Sequence, residues 1–344
     1  MGERRYGLRV GLVAVVVAVV VIGQGVGAGR ASAAAPEQNG VTVIRYLNGR
    51  GEVEVFEIAE ALGLLKGTGI RIESVGYSQG GPESLVAMAS GSVDIAGAAT
   101  PAIVNAIAAG AKIIGVMPDG GVSEDVNSKF FVLAGSDIRS AKDIEGKSIA
   151  VNTLGAHLDY TVRKYLEDHG LKPDAANLIA VPGPQLEQVL RHRLADVVAV
   201  GAWQAVFAGK IEADGGVRVL FTDYDVLGNI VLGTDAMKKS FVAAHAEAVR
   251  AFVTASARAV DWTMRHPAEA RALVAEILKK RGDNPELAQY WPGFGLRAHA
   301  LYTPHDAQFW IDVLVRAGRL KPDQLAPEDV ETNRYNGLAS LAQN

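Results

Sequence analysis

The chain has 344 residues, a formal net charge of −4 and no cysteine, which excludes disulfides, thiolate metal sites, a cysteine nucleophile and a lipidated-cysteine tether. Arg4, Arg5 and Arg9, then the apolar run from Val10 to Ile22 and the small residues at 31–35, read as a cleaved export signal spanning 1–35. Its removal takes away Arg4, Arg5, Arg9, Arg30 and Glu3, moving the net charge to −7 and arguing against a nucleic-acid partner.

The apolar run is too short for a comfortable membrane span, and the glycines from Gly23 to Gly29 interrupt it. Arg4 to Arg9 resembles a twin-arginine export motif with Gly7 where an aromatic is usual; Sec export fits equally. A freely soluble periplasmic protein is expected.

The mature chain opens with a strand from Val41 to Leu47, the loop Asn48-Gly49-Arg50-Gly51, and a helix from Val53 to Leu65 stopped by Gly67 and Gly69. Strand Ile70–Val75, helix Pro82–Ala89, strand Val93–Ala96, helix Pro101–Ala108 and strand Ile113–Met117 follow. This alternation predicts a parallel sheet covered on both faces. A polar, Gly-rich connection from Pro118 to Ser128 suits a crossing between domains, and Phe130–Ala134 reads as a buried strand.

The pattern restarts at Ser136 with a short helix, strand Ser148–Val151, helix His157–His169, strand Leu178–Val181 and helix Pro184–Arg191. Strand Val197–Val200, the loop Gly201-Ala202-Trp203, a helix near Ala205 and strand Val217–Phe221 complete it. The apolar strand Asn229–Gly233 brings the chain back to a helical tail, with His245–His266 at helical spacing and further helix starts at Pro267, Pro285 and Pro304.

Two helix starts stand out. Proline at Pro82 and Pro101 fits the first helical turn, with Gly81 and Thr100 as acceptable N-caps. The free N–H groups and positive dipole ends of such turns make anion seats, and in an open α/β sheet they lie at the carboxyl ends of the strands, where ligands collect. Each could equally be ordinary strand-to-helix punctuation; two in succession favour a shared crevice.

Gly76-Tyr77-Ser78-Gln79-Gly80 fits the G-x-S-x-G pattern of a serine nucleophile and follows a strand. Gly80-Gly81-Pro82 delays the helix, however, and the pattern arises easily by chance in a glycine-rich chain, so a hydrolase using Ser78 is a remote alternative. His299 and His305 flank Tyr302 as at most a weak metal pair. No catalytic residue, metal or cofactor is expected, and with no Walker A loop or dinucleotide fingerprint any ATP hydrolysis must belong to a separate subunit.

The run from Ala59 to Val116, the segment from Ser136 to Tyr160 and the segment from His245 to Ala270 together resemble the substrate-binding proteins of ABC importers for nitrate, taurine, aliphatic sulfonates and thiamine-pyrimidine precursors. The resemblance implies a two-lobed type II periplasmic binding fold of class α/β, with two parallel-core sheets flanked by helices and a helical C-terminal tail. Lobe 1 is expected over 36–133 and 228–344, and lobe 2 over 134–227. It also implies a small organic anion, sulfonate, taurine or nitrate-like, held between the lobes by loops after the strands. The chain would act as a monomer delivering it to an inner-membrane permease.

The corresponding ligand-binding candidates are Asn48, Gly49, Arg50, Gln79, Gly80, Gly81, Thr100, Gly155, Ala156, His157, Trp203 and Asn229. Arg50 could fork onto an anion or be solvated, His157 could donate to one or cap a helix, and Trp203 could stack on a ligand or pack between lobes. The loop at Gly155-Ala156 lacks the hydroxyl frequent in sulfonate binders, and Gln79 and Gln204 supply amides instead. Asp119, if it points inward, would oppose an anion. A pyrimidine precursor or aromatic acid is therefore the alternative ligand, and a periplasmic ligand sensor the alternative role.

Overall fold

The computed structural model describes residues 37–343 except residue 39; the expected export signal lies outside the described residues. Strands β1 (Glu37–Gln38), β2 (Val41–Asn48) and β3 (Ile70–Tyr77) form one small sheet, with helix α1 (Val55–Ala61) between β2 and β3. Helix α2 (Gly81–Ser90), strand β4 (Ile95–Ala99), helix α3 (Thr100–Ala108) and strand β5 (Ile113–Val122) follow. Asp94 joins β2 to β4: its N–H donates to the Arg45 carbonyl at 2.9 Å, and its carboxylate accepts from the Arg45 backbone N–H at 3.0 Å.

A second sheet is built from β6 (Lys129–Leu133), β7 (Ser148–Val151), β8 (Asn177–Ala180), β9 (Val197–Val200) and β10 (Val217–Thr222), in the order β10-β6-β9-β7-β8. Helices α4 (His157–Asp168), α5 (Leu186–Arg191) and α6 (Ala205–Asp214) cover it, and α7 (Asp223–Leu227) leads out. Strand β11 (Ile230–Lys238) then inserts between β4 and β5. The remainder is helical: α8 (Lys239–Ala244), α9 (Ala246–Arg265), α10 (Pro267–Arg281), α11 (Pro304–Arg316) and α12 (Pro327–Val330).

Parallel pairing, expected from the alternation, holds for β2 with β3 and for β7 with both β8 and β9. The strands next to the crossings differ. β6 runs antiparallel to β9 and β10, and β11 antiparallel to β4 and β5, because each arrives from another sheet, β6 straight from β5 and β11 by way of short α7, and not by a crossover within its own sheet.

The central strands β9 and β11 are buried on both faces. Phe56 of α1 meets Tyr46 edge-on at 4.8 Å and Phe252 of α9 at 5.4 Å, while Trp310 of α11 is 1% exposed on the opposite side. In the second sheet Phe221 stacks between Phe130 at 4.0 Å and Tyr165 at 3.7 Å. Rings packed face to face in this way bury large apolar areas and fix the helix positions over the strands.

Four expectations need correction. The segment from Pro118 to Val122 is the continuation of β5, not a loop; opposite β11 the ladder carries bulges, which accommodate a proline that has no N–H to donate. Pro285–Tyr290 forms a 3₁₀ turn rather than an α-helix, and the first helix starts at Val55 and ends at Ala61. The N-caps of α2 and α3 are Gly80 and Ala99, one residue before the expected Gly81 and Thr100.

Candidate functional site

A small cleft, with a cavity volume of about 60 Å³ and open to solvent, lies between the five-stranded sheet and the β1–β3 and β4-β11-β5 sheets. From the side of the β1–β3 and β4-β11-β5 sheets come Leu47, Gly49, Glu52, Glu54, Ser78, Gly80, Gly81, Ser84, Ala98, Ala99, Asp119, Leu232 and Gly233; from the side of the five-stranded sheet come Asn152, Thr153, Ala156 and Trp203. The first turn of α2 and the N-caps of α3 and α4, Ala99 and Ala156, thus share one cavity. A side chain at Gly81 would collide with Ala98, its Cβ falling 2.6 Å from the Ala98 Cα. Only glycine lets α2 start so close to β4.

A narrower chamber continues inward from this cleft. Glu52, Glu54, Asp119, Trp203 and Leu232 belong to both, and Trp291 and Phe294, edge-to-face at 5.1 Å, close the far wall. The site is therefore apolar and aromatic on one side and acidic at its floor.

The acidic floor follows from local backbone geometry. Pro118 pairs with Thr234 and Gly120 with Gly233, so Asp119 is the extra residue of a β-bulge and its side chain is re-aimed into the cleft. Gly233 leaves the space that the Asp119 carboxylate fills. Asp235, two residues along β11 and so on the same face, is 1% exposed, with an unpartnered Oδ2. A methyl at Gly97 would lie 3.1 Å from Asp119 Oδ2 and 3.4 Å from Asp235 Oδ1. Both carboxylates therefore converge under that glycine.

Glu52 and Glu54 enter from the segment before α1. Among the described residues, none of the four carboxylates Glu52, Glu54, Asp119 and Asp235 is paired with a lysine, arginine or histidine. Arg281 is the nearby cation, but its guanidinium faces Glu57 at 3.2 Å, Asp283 at 3.3 Å and the Asn48 Oδ1 at 2.9 Å. Desolvation, the first cause for all four acids, raises their pKa values. Glu52 goes to about 7, with Arg281 pulling down and Glu57 pushing up; Asp235 goes to about 8, with Glu52 adding to burial. Glu54 and Asp119 lie well above the ordinary carboxylate range, each further raised by its acidic neighbours.

Of the twelve candidates read from sequence, Gly49, Gly80, Gly81, Ala156 and Trp203 line this cleft. The others lie elsewhere. Asn48 is buried and donates to the Ser74 hydroxyl; Arg50 pairs with Asp283 at 2.9 Å and lies over the Tyr77 ring at 3.6 Å. Gln79 and Asn229 are exposed, and Gly155 donates its N–H to Asp159 Oδ2 at 2.8 Å. Thr100 is fully buried, donating to the Leu232 carbonyl at 3.3 Å.

His157 is also fully buried: its Nε2 sits 2.7 Å from Asp223 Oδ2 and its ring packs edge-on against Trp310. Asp223 in turn accepts from the Ser128 N–H at 2.7 Å, and the Ser128 hydroxyl accepts from the Ala202 N–H at 3.0 Å. Both crossing segments, α4 and the turn carrying Trp203 are joined by this chain of bonds. His299, considered as half of a metal pair, is held by Asp261, Nδ1 to Oδ2 at 2.8 Å.

The acids were missed because Glu52-Val53-Glu54 reads as an unremarkable helix start and Asp235 lies beyond the strand expected to end at Gly233. The available signal was their number close to the Asn48–Gly51 loop and to Asp119.

Two α/β lobes with a cleft between them, joined by two crossing segments, define the periplasmic-binding-protein class of fold. Solved structures agree. The alkanesulfonate-binding protein SsuA from Xanthomonas axonopodis pv. citri, bound to MOPS, is 20% identical with a TM-score of 0.66, covering 87% of this chain and 99% of its own. The periplasmic nitrate-binding protein NrtA from Synechocystis PCC 6803 is 16% identical with a TM-score of 0.67, covering 86% and 87%. The desulfurization enzyme DSZB shares the fold too, at 15% identity and a TM-score of 0.58, covering 88% and 98%. No curated protein sequence matches. The family described as NMT1/THI5 like matches residues 54–270, and the chain belongs to it.

Proposed function

We propose that the protein is the exported solute-binding component of an ABC importer, capturing a small molecule between its lobes and presenting the closed form to a membrane permease served by a separate ATPase. The observation that carries this reading is the cleft itself, lined from both lobes and containing three helix starts. Hinge closure around a ligand removes water and strengthens each polar contact inside. Among the described residues no helix is long and apolar enough to cross a membrane.

The reading is capture without chemistry, although one neighbour of this fold is an enzyme. Ser78 lines the cleft, but its hydroxyl accepts from Ser84 Oγ at 3.1 Å. A serine nucleophile needs a histidine base at hydrogen-bond distance, itself oriented by an acid.

Sulfonate and nitrate, the ligands named for two structural neighbours, suit the helix starts. The acidic floor weighs against a bare anion, since every carboxyl that ionises there would repel it across a low-dielectric space. The aromatic walls at Trp203, Trp291 and Phe294 favour the alternative of a pyrimidine precursor or another flat organic molecule. The testing experiment is a thermal-shift screen of the mature chain against nitrate, taurine, alkanesulfonates, aromatic acids and pyrimidines. Because a ligand that binds the folded state raises the melting temperature, a saturable shift supports capture. If no compound shifts it and no small molecule is released on denaturation, the reading fails.

A further inference from the structure

We infer, on the capture reading above, that the cleft takes a ligand bearing a protonated nitrogen, an ammonium or amidinium, attached to a flat or apolar group. The protonated nitrogen belongs at the floor. Glu52, Glu54 and Asp119 line it, and none of them is ion-paired among the described residues. Asp235 lies immediately behind them, 1% exposed, with an oxygen that meets no donor.

Asp235, the fully buried member, would ordinarily be paired or hydrogen-bonded, because leaving such a group unmet is costly, and half-buried Glu52, Glu54 and Asp119 lie beside it. Arg281 does not answer the need, being shared between Glu57 and Asp283. Nor, among the described residues, do three or more acidic or histidine side chains converge as metal ligands would. In the empty protein protons neutralise the floor in place of a counter-charge, and a cation entering through the cleft takes their place. The apolar part of the ligand then has the inner chamber, where Trp203, Trp291 and Phe294 offer ring faces and edges.

The surroundings set the direction of pH dependence. Glu57 and Arg281 face Glu52, while Tyr302 lies near Asp235 and Glu331 near Tyr302; Tyr302 is raised well above its ordinary range first by burial, and Glu331 to about 8 by burial and then by Asp306. Arg281 apart, these groups do not supply positive charge near neutrality. A cation therefore binds more tightly as pH rises through the range where the floor ionises, and it displaces protons as it does so.

The test is calorimetric titration of the ligand-free mature protein with three probes of similar shape: benzylammonium, benzyl alcohol and phenylmethanesulfonate. Benzylammonium should bind saturably, more tightly at about pH 8 than at pH 6, with proton release seen by comparing buffers of different ionisation enthalpy. Asp119→Asn should weaken it by roughly tenfold or more and remove most of its preference over benzyl alcohol. Glu52→Gln is the second variant should the first not fold, with the same expectation. Benzylammonium binding no better than the alcohol, or affinity falling as pH rises, overturns the inference. Binding of the sulfonate alone also overturns it, while leaving solute capture intact. Capture itself fails separately, if the screen above yields neither a thermal shift nor a released molecule.

Discussion

Glu52→Gln should make the empty protein more stable, and should do so only above mildly acidic pH. In the folded chain the carboxyl is raised from 4.5 to about 7, chiefly by desolvation, so the unfolded chain ionises first as pH rises. Between these values the native state holds the extra proton, and stability falls with increasing pH. The full loss is reached above about pH 7. The gap corresponds to about 3 kcal/mol at most, and coupling to Glu54 and Asp235 spreads part of it over those groups. Glutamine keeps the shape and removes the charge. The variant should therefore match wild type near pH 4.5 and exceed it at pH 8 by up to about 3 kcal/mol, a rise in melting temperature of roughly 6 °C for a chain of this size. Urea unfolding of protein stripped of ligand, at both pH values, gives the measurement. A gain equal at the two pH values, or a loss at pH 8, would refute the reasoning, because it would mean the carboxylate is compensated in the folded chain.

Other substitutions separate the parts of the site. Gly81→Ala places a methyl 2.6 Å from the Ala98 Cα and should cost about 1–3 kcal/mol in urea unfolding, with reduced ligand affinity. Asp223→Asn weakens a fully buried pair with His157 that also receives the Ser128 N–H, and about 3 kcal/mol should be lost in the same assay. Trp203→Ala should lower affinity by roughly tenfold in calorimetry while circular dichroism stays native. Ser78→Ala should leave any background ester hydrolysis unchanged in a chromogenic assay; its disappearance would revive the nucleophile reading.

Most of the scaffold was legible because its signals are local. Pro82 and Pro101 mark helix starts through their own fixed geometry, and Ser148–Val151 and Val197–Val200 read as strands through continuous apolar runs, matching the structure residue for residue. The site was less legible because its decisive features are not local. Asp119 faces the cleft only because β11 pairs across it with a bulge, and nothing in Met117-Pro118-Asp119-Gly120 announces that register. His157 and Thr100 lie at helix starts as expected, yet both point away from the cavity into packed surfaces, where Asp223 and the Leu232 carbonyl take their polar atoms. Arg50 sits on the expected loop but is drawn outward by Asp283, more than two hundred residues along the chain. Sequence places a side chain on a loop; the partner that claims it is set by tertiary packing.

The cleft floor and the crossing segments make opposite use of buried charge. At the crossing, Asp223 is met by the Ser128 N–H and by His157, so its burial holds β6, α4 and α7 together. At the floor Glu52, Glu54, Asp119 and Asp235 are left unpaired, and the cost of desolvating them, with their mutual repulsion second, lowers the stability of the empty state wherever they ionise. A positively charged ligand relieves that repulsion at the same time as it makes its own contacts. Its affinity then includes the free energy that the empty fold gives up at the floor. The same carboxylates that discourage an anion thus make occupancy by a cation more favourable than its contacts alone would provide, and replacing any one of them should move empty-state stability and cation affinity in opposite directions.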